Sequence, residues 1–177
     1  VDDVEDDWTY STKPDFIHGR AMFTCFKDPK VVFQKAFDAL APGGYFEMQD
    51  VYFKPHSNDG TVDGTSIEKW NELLIQGAAK TGRDWHCTPH YAQWFQEVGF
   101  EDVVENKFAW PVNTWPKGRK QKTMGLWMLT NALEGMNAIS MAMMTRSLGM
   151  PSEEVELMLV DVRRDAKDKS IHTYFPV

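Results

Sequence analysis

The sequence predicts an α/β fold, a largely parallel sheet with helices on both faces. Three observations lead there. Two short apolar runs, 15–18 and 45–53, are separated by one amphipathic segment of helix length, the spacing of a βαβ unit with parallel strands. Further helix-period segments alternate with strand-like runs at 100–110 and 171–177. No run of about 18 apolar residues occurs, so no membrane-spanning helix is expected.

Taken in order, Asp15-Phe16-Ile17-His18 reads as a buried strand, and Gly19 and Arg20 as the loop after it. Asp28-Pro29 supplies an N-cap and a first-turn proline. Val32, Phe33, Ala36, Phe37 and Leu40 then keep helical spacing until Pro42-Gly43-Gly44. The second strand covers 45–53, and 54–65 is a polar loop. Ser66 caps a helix carrying Ile67, Trp70, Leu73 and Leu74, and Thr88-Pro89 starts another that ends at Gly99. Helices are expected over 119–148 and 152–167, the second opened by Pro151-Ser152-Glu153-Glu154, with a strand beginning near Ile171. Eight of the ten Met lie between 124 and 158, and Leu129, Leu133, Met136 and Met143 keep helical spacing. They read first as core packing and second as the lining of an adaptable apolar pocket.

Nineteen basic against 26 acidic side chains give a formal charge of −7, which argues against a direct nucleic-acid surface. Cys25 and Cys87 stand far apart and read as free thiols of an intracellular protein, of cytoplasm or nucleus. His86-Cys87-Thr88-Pro89-His90 lacks a second pair of metal ligands, so no metal site is assigned. The twelve glycines nowhere form G-x-G, and neither a P-loop, a G-x-S-x-G elbow nor a Tyr-x-x-x-Lys pair occurs. Phosphate-cradling, hydrolase and nicotinamide chemistries therefore find no support.

One ordered set of segments is more specific. Asp15-Phe16-Ile17-His18-Gly19-Arg20-Ala21-Met22-Phe23 is followed by Ala39-Leu40-Ala41-Pro42-Gly43-Gly44-Tyr45-Phe46-Glu47-Met48-Gln49-Asp50. Later come Trp85-His86, residues 94–100, residues 111–116 and Ile171-His172-Thr173-Tyr174. Together they resemble the second half of class I S-adenosylmethionine-dependent methyltransferases, and more narrowly the LaeA-like fungal family associated with secondary metabolism. The resemblance covers essentially all 177 residues.

It implies a Rossmann-like fold that is incomplete, without its first three strands and the end of the last, and with helical insertions. The implied layout is a βαβ core over 1–53, a helical insertion over 54–87, a helix and strand over 88–113, a helical lid over 114–170 and a nascent strand over 171–177. S-adenosyl-L-methionine is the implied cofactor. Asp2 or Asp3 would meet the adenine amino group, with Val4 or Glu5 beside the ring. The same acidic run also reads as a solvated loop. His18, Gly19 and Arg20, at the strand's carboxyl end, would lie by the methionine part of the cofactor, with His18 a weak candidate base. Asp50, ending the second strand, is the other weak catalytic candidate, as a contact to the methyl acceptor.

The implied function is methyl transfer to a small molecule or a protein, in or regulating secondary metabolism, with the isolated 177-residue chain inactive and binding its cofactor weakly or not at all. The alternative is a regulatory docking protein that uses the same fold to hold a protein partner in a transcriptional complex. An open edge and uncovered apolar side chains are expected around Phe16-Ile17.

Overall fold

A computed structural model describes residues 3–177, which divide into two compact units. The first comprises residues 3–52 and Arg83–Asn106, the second Phe53–Gly82 and Lys107–Val177.

In the first unit, strand β1 (Phe16–Arg20) leads through helix α1 (Pro29–Ala39) to strand β2 (Tyr45–Gln49). The two strands pair in parallel, Phe16 beside Tyr45 through Arg20 beside Gln49, as the βαβ spacing requires. Asp28 caps α1, its carboxylate accepting from the Lys30 and Val31 amides at 3.0 and 3.3 Å. Lys13 closes the other end by donating to the Asp38 carbonyl at 2.9 Å. A 3₁₀ turn (Thr88–His90) then enters helix α3 (Tyr91–Val98), which stops at Gly99, where φ of 119° suits a residue without Cβ.

Strand periodicity divides this sheet into unlike faces. Phe46 meets Phe33 of α1 edge-on at 5.5 Å and Phe95 of α3 at 5.1 Å, so both helices cover the face it shares with Ile17, Gly19 and Met48. Phe33 is fully buried and stacks on Phe95 at 4.7 Å. Aromatic pairs of this kind add about 1 kcal/mol each beyond area burial. On the opposite face Phe16 is 56% and Tyr45 75% exposed, with His18, Arg20, Glu47 and Gln49 around them. The sequence reading of a buried strand is thus corrected: β1 is covered on one face only. Among the described residues each of these strands has a single partner.

In the second unit, helix α2 (Ser66–Lys80) turns Ile67, Trp70, Leu74 and Ala78 into the core. Its cap is Thr65 and not Ser66: Thr65 Oγ1 accepts from the Glu68 amide, while the Ser66 amide donates to Asp165 Oδ2 at 2.7 Å. Strand β3 (Ala109–Pro111) precedes helix α4 (Arg119–Ser140), a π-helical stretch (Met141–Ser147), helix α5 (Ser152–Lys167) and strand β4 (Tyr174–Pro176). Leu159, Val155 and Val162 of α5 and Met144 are fully buried. Trp70 donates its indole N–H to Ser140 Oγ at 2.8 Å, which satisfies the ring's polar atom inside the core.

Only 109–111 of the expected 100–110 strand forms, and its partner is β4, antiparallel, in a second two-stranded sheet. Polar Glu101, Asp102, Glu105, Asn106 and Lys107 lie on the stretch before it, where Val104 and Phe108 stay exposed. The polar segment 54–65 is fastened to β4. His56 and Tyr174 exchange backbone hydrogen bonds at 2.9 Å, and His172 Nδ1 lies 2.6 Å from Asp59 Oδ2.

Candidate active site

The densest polar arrangement of the first unit lies at the carboxyl end of its parallel strands, where open α/β sheets take their ligands. Beyond β1 the chain reverses at Ala21, a non-glycine residue with φ of +54°, whose amide still reaches the Gln49 carbonyl at 3.0 Å. The next two amides, of Met22 and Phe23, have left the ladder. Both donate to Asp50 Oδ1, at 2.6 and 3.3 Å. Asp50 Oδ2 accepts from the Tyr91 hydroxyl at 3.1 Å, and the Cys87 thiol lies 3.8 Å from that hydroxyl. Thr88 Oγ1 donates to the Val51 carbonyl at 3.4 Å, so the start of α3 is held to the end of β2 twice.

Burial dominates the electrostatics here. It raises the Asp50 carboxyl above its ordinary value, against the opposing pull of the Met22, Phe23 and Tyr91 donors. It pushes the Cys87 thiol up to about 11. The Tyr91 phenol is driven far above its usual range, first by burial and then by the charge of Asp50. Next to this chain, the His86 ring stands edge-on to Tyr52 at 5.5 Å, and its Nε2 is sealed from solvent without a hydrogen-bond partner.

Of the residues singled out by sequence, Asp2 lies outside the described residues. Asp3 is exposed, and its Oδ1 accepts from the Glu5 amide at 2.9 Å. Val4 is half-buried and its carbonyl accepts from the Trp8 indole at 2.9 Å. This acidic segment is not a loose solvated run. Lys35 of α1 donates to the Glu5 and Asp6 carbonyls, and Glu5 Oε1 accepts from the Lys27 amide at 2.8 Å. That last bond sets the segment beside the turn that follows β1.

Gly19 and Arg20 belong with His18 to β1 itself, not to a loop after it, which corrects the sequence reading; the turn begins at Ala21. His18 faces outward and its Nδ1 lies 2.9 Å from Glu47 Oε2 across the register. Gln49 first, and His18 second, hold the Glu47 carboxyl below its usual range. Gly19 faces inward, where a Cβ would meet the Met48 sulfur at 2.4 Å. Arg20 ends the strand, exposed, opposite Gln49.

Sequence reasoning missed the roles of Tyr91 and of Cys87, read only as a free thiol, and the Glu47 partner of His18. Among the described residues no group of three or more His, Cys, Asp or Glu could hold a metal ion, and no helix is long and apolar enough to cross a membrane. In the second unit a cavity of about 490 Å³ is lined by Thr114, Gly118, Arg119, Lys122, Thr123 and Leu126.

Residues 1–105 match the methyltransferase domain family, and the chain belongs to that family. It is 33% identical over 176 residues to the Probable methyltransferase tdiE of Emericella nidulans, covering 99% of this chain and 55% of that protein. To Methyltransferase pytC of Aspergillus terreus it is 35% identical over 176 residues, 99% and 54% of the two chains. To the Secondary metabolism regulator laeA of Aspergillus fumigatus it is 28% identical over 144 residues, 81% and 39% of the two. The chain spans about half the length of the first two relatives. The family match ends before β3, whereas the likeness to tdiE and pytC runs on through α4 and α5.

Proposed function

We infer that this chain supplies the carboxyl-edge portion of a Rossmann-like, S-adenosylmethionine-dependent methyltransferase acting in, or regulating, fungal secondary metabolism. The observation that carries the reading is the joining of segment 3–7 to the turn after β1 by the bond between Glu5 and the Lys27 amide. It ties the segment that carries the adenine-side candidates Asp3 and Val4 to the stretch between β1 and α1, which supports a shared role for the two. The cofactor supplies an electrophilic methyl group.

The protein's task in such a transfer is alignment more than covalent chemistry. Asp2, Asp3 and Val4 are proposed for the adenine side, and His18, Gly19 and Arg20 for the side of the amino-acid portion. Gly19 faces Met48, so its support is as a packing position under the edge. His18 is held by Glu47 on the open face of the pair. Helices α4 and α5, which lie beyond the family match, are proposed as the acceptor-side addition. A methyl acceptor of small-molecule or protein type remains within this reading.

The test is transfer of labelled methyl groups by the protein expressed from its full coding sequence, together with calorimetric titration of S-adenosylhomocysteine. Saturable binding and label transfer support the enzyme. Absence of both, with the regulatory phenotype kept when the cofactor site is mutated, supports the docking alternative.

A further inference from the structure

We propose that Asp50 is a positioning residue, whose carboxylate fastens the turn after β1 into the shape that meets the cofactor, and not a contact to the methyl acceptor. The proposal rests on the methyltransferase reading above. Asp50 sits at the end of β2, where a free carboxylate would be available to an acceptor. This one is engaged on both oxygens. Oδ1 takes the Met22 and Phe23 amides, and Oδ2 takes the Tyr91 hydroxyl, itself backed by the Cys87 thiol.

The turn needs such a partner. Ala21 lies in the left-handed region, which L side chains seldom adopt, and the two amides after it turn to Asp50 Oδ1. Phe23 is buried edge-on to Trp85 at 6.1 Å, so its amide has little recourse to water. A carboxylate on the neighbouring strand answers both amides at once. Tyr91 then fixes that carboxylate from α3, leaving it no rotation toward a substrate. The same turn leads on to Lys27, which holds the acidic segment 3–7 through Glu5. Asp50 therefore governs the link between the two groups of cofactor-side candidates without touching either.

The test uses protein from the full coding sequence and S-adenosylhomocysteine as the calorimetric probe. Asp50→Ala should weaken binding tenfold or more. Asp50→Asn should stay within threefold of wild type, because its amide oxygen still accepts from Met22 and Phe23. Rescue by the isosteric amide separates this role from one needing a charge. Equal weakening by Asn and Ala, or wild-type affinity for Asp50→Ala, overturns the proposal alone. A wild-type protein that does not bind the probe overturns the methyltransferase reading and the proposal with it.

Discussion

Gly125 of α4 lies directly against the backbone of Asn113: a Cβ on Gly125 would stand 1.9 Å from the Asn113 carbonyl oxygen. Asn113 cannot yield. Its side-chain amide donates to the Ala166 and Asp168 carbonyls at 3.0 Å, and its Oδ1 accepts from the Trp115 amide at 2.9 Å. Gly125→Ala should therefore destabilise the second unit by about 3 kcal/mol or more, the scale of severe overpacking. Gly135, on the same helix, is the control, because a methyl there would meet nothing within 4 Å. Gly135→Ala should leave stability unchanged or raise it by up to about 1 kcal/mol. Denaturant titration of both variants checks the contrast.

The two thiols should differ sharply in reactivity. Cys25 is exposed, whereas Cys87 is buried with its thiol pushed up to about 11. The thiolate is the reactive form, so a maleimide at pH 7.5 should label Cys25 quickly and Cys87 only after unfolding. Equal rates in the folded protein would contradict the buried Cys87–Tyr91–Asp50 chain.

Asp50 sets one pH dependence. Its folded carboxyl is raised above the ordinary 3.8, so the folded state holds this proton more tightly than the unfolded chain. Its contribution to stability is greatest below that ordinary value and declines as pH climbs through the raised one. Asp50→Asn should remove this decline while keeping an acceptor for Met22 and Phe23. Unfolding midpoints of the two proteins across pH 3 to 7 would reveal it as converging curves at the acid end.

Asp59 sets the opposite one. Hydrogen bonds from Thr61 and then His172 lower its carboxyl to about 2. A depressed acid contributes stability that is complete above the ordinary value near 3.8 and is lost as pH falls toward 2. Segment 54–65 should loosen from β4 in that window. The Trp115 ring, 4.9 Å from His172, provides a fluorescence readout. Asp59→Asn should flatten the fluorescence change.

The open face of the parallel pair should make the isolated chain self-associate. Parallel sheets are normally covered on both faces, and here Phe16 and Tyr45 are exposed on strands that, among the described residues, have one partner each. Light scattering should rise with concentration, and the double change Phe16→Lys and Tyr45→Lys should lower it. A monodisperse monomer at high concentration would refute this.

Much of the helical architecture was legible because its signals are local. Asp28-Pro29 opens α1, Gly99 closes α3, and Pro151 precedes α5, each through a cap or a φ value that one or two residues determine. Strand limits were less so, because they depend on partners. Gly19 and Arg20 look like a loop by composition, yet they pair with Met48 and Gln49 on a sheet whose outer face tolerates polar side chains. The 100–110 run has aromatics enough for a strand, but pairing waits for β4, some 65 residues on. Thr65 took the cap from Ser66 because Asp165, distant in sequence, engages the Ser66 amide. At the site, Asp50 was visible as a strand-end acid. Its occupation was not, since its donors come from Met22, Phe23 and Tyr91, 27 to 41 residues away.

The π-helical stretch after α4 bears on how this sequence can change in length. Each turn there encloses one residue more than an α-turn, so removal of a single residue would let the helix close into regular α geometry. Closing it would change which side chains within the stretch face the core. Met144 would leave its fully buried seat, and the Met143 carbonyl, which a methyl on Gly77 would approach to 2.8 Å, would be carried away from α2. Residues 141–147 should therefore accept exchange of one apolar side chain for another far more readily than gain or loss of a residue. Their number is a structural parameter in its own right.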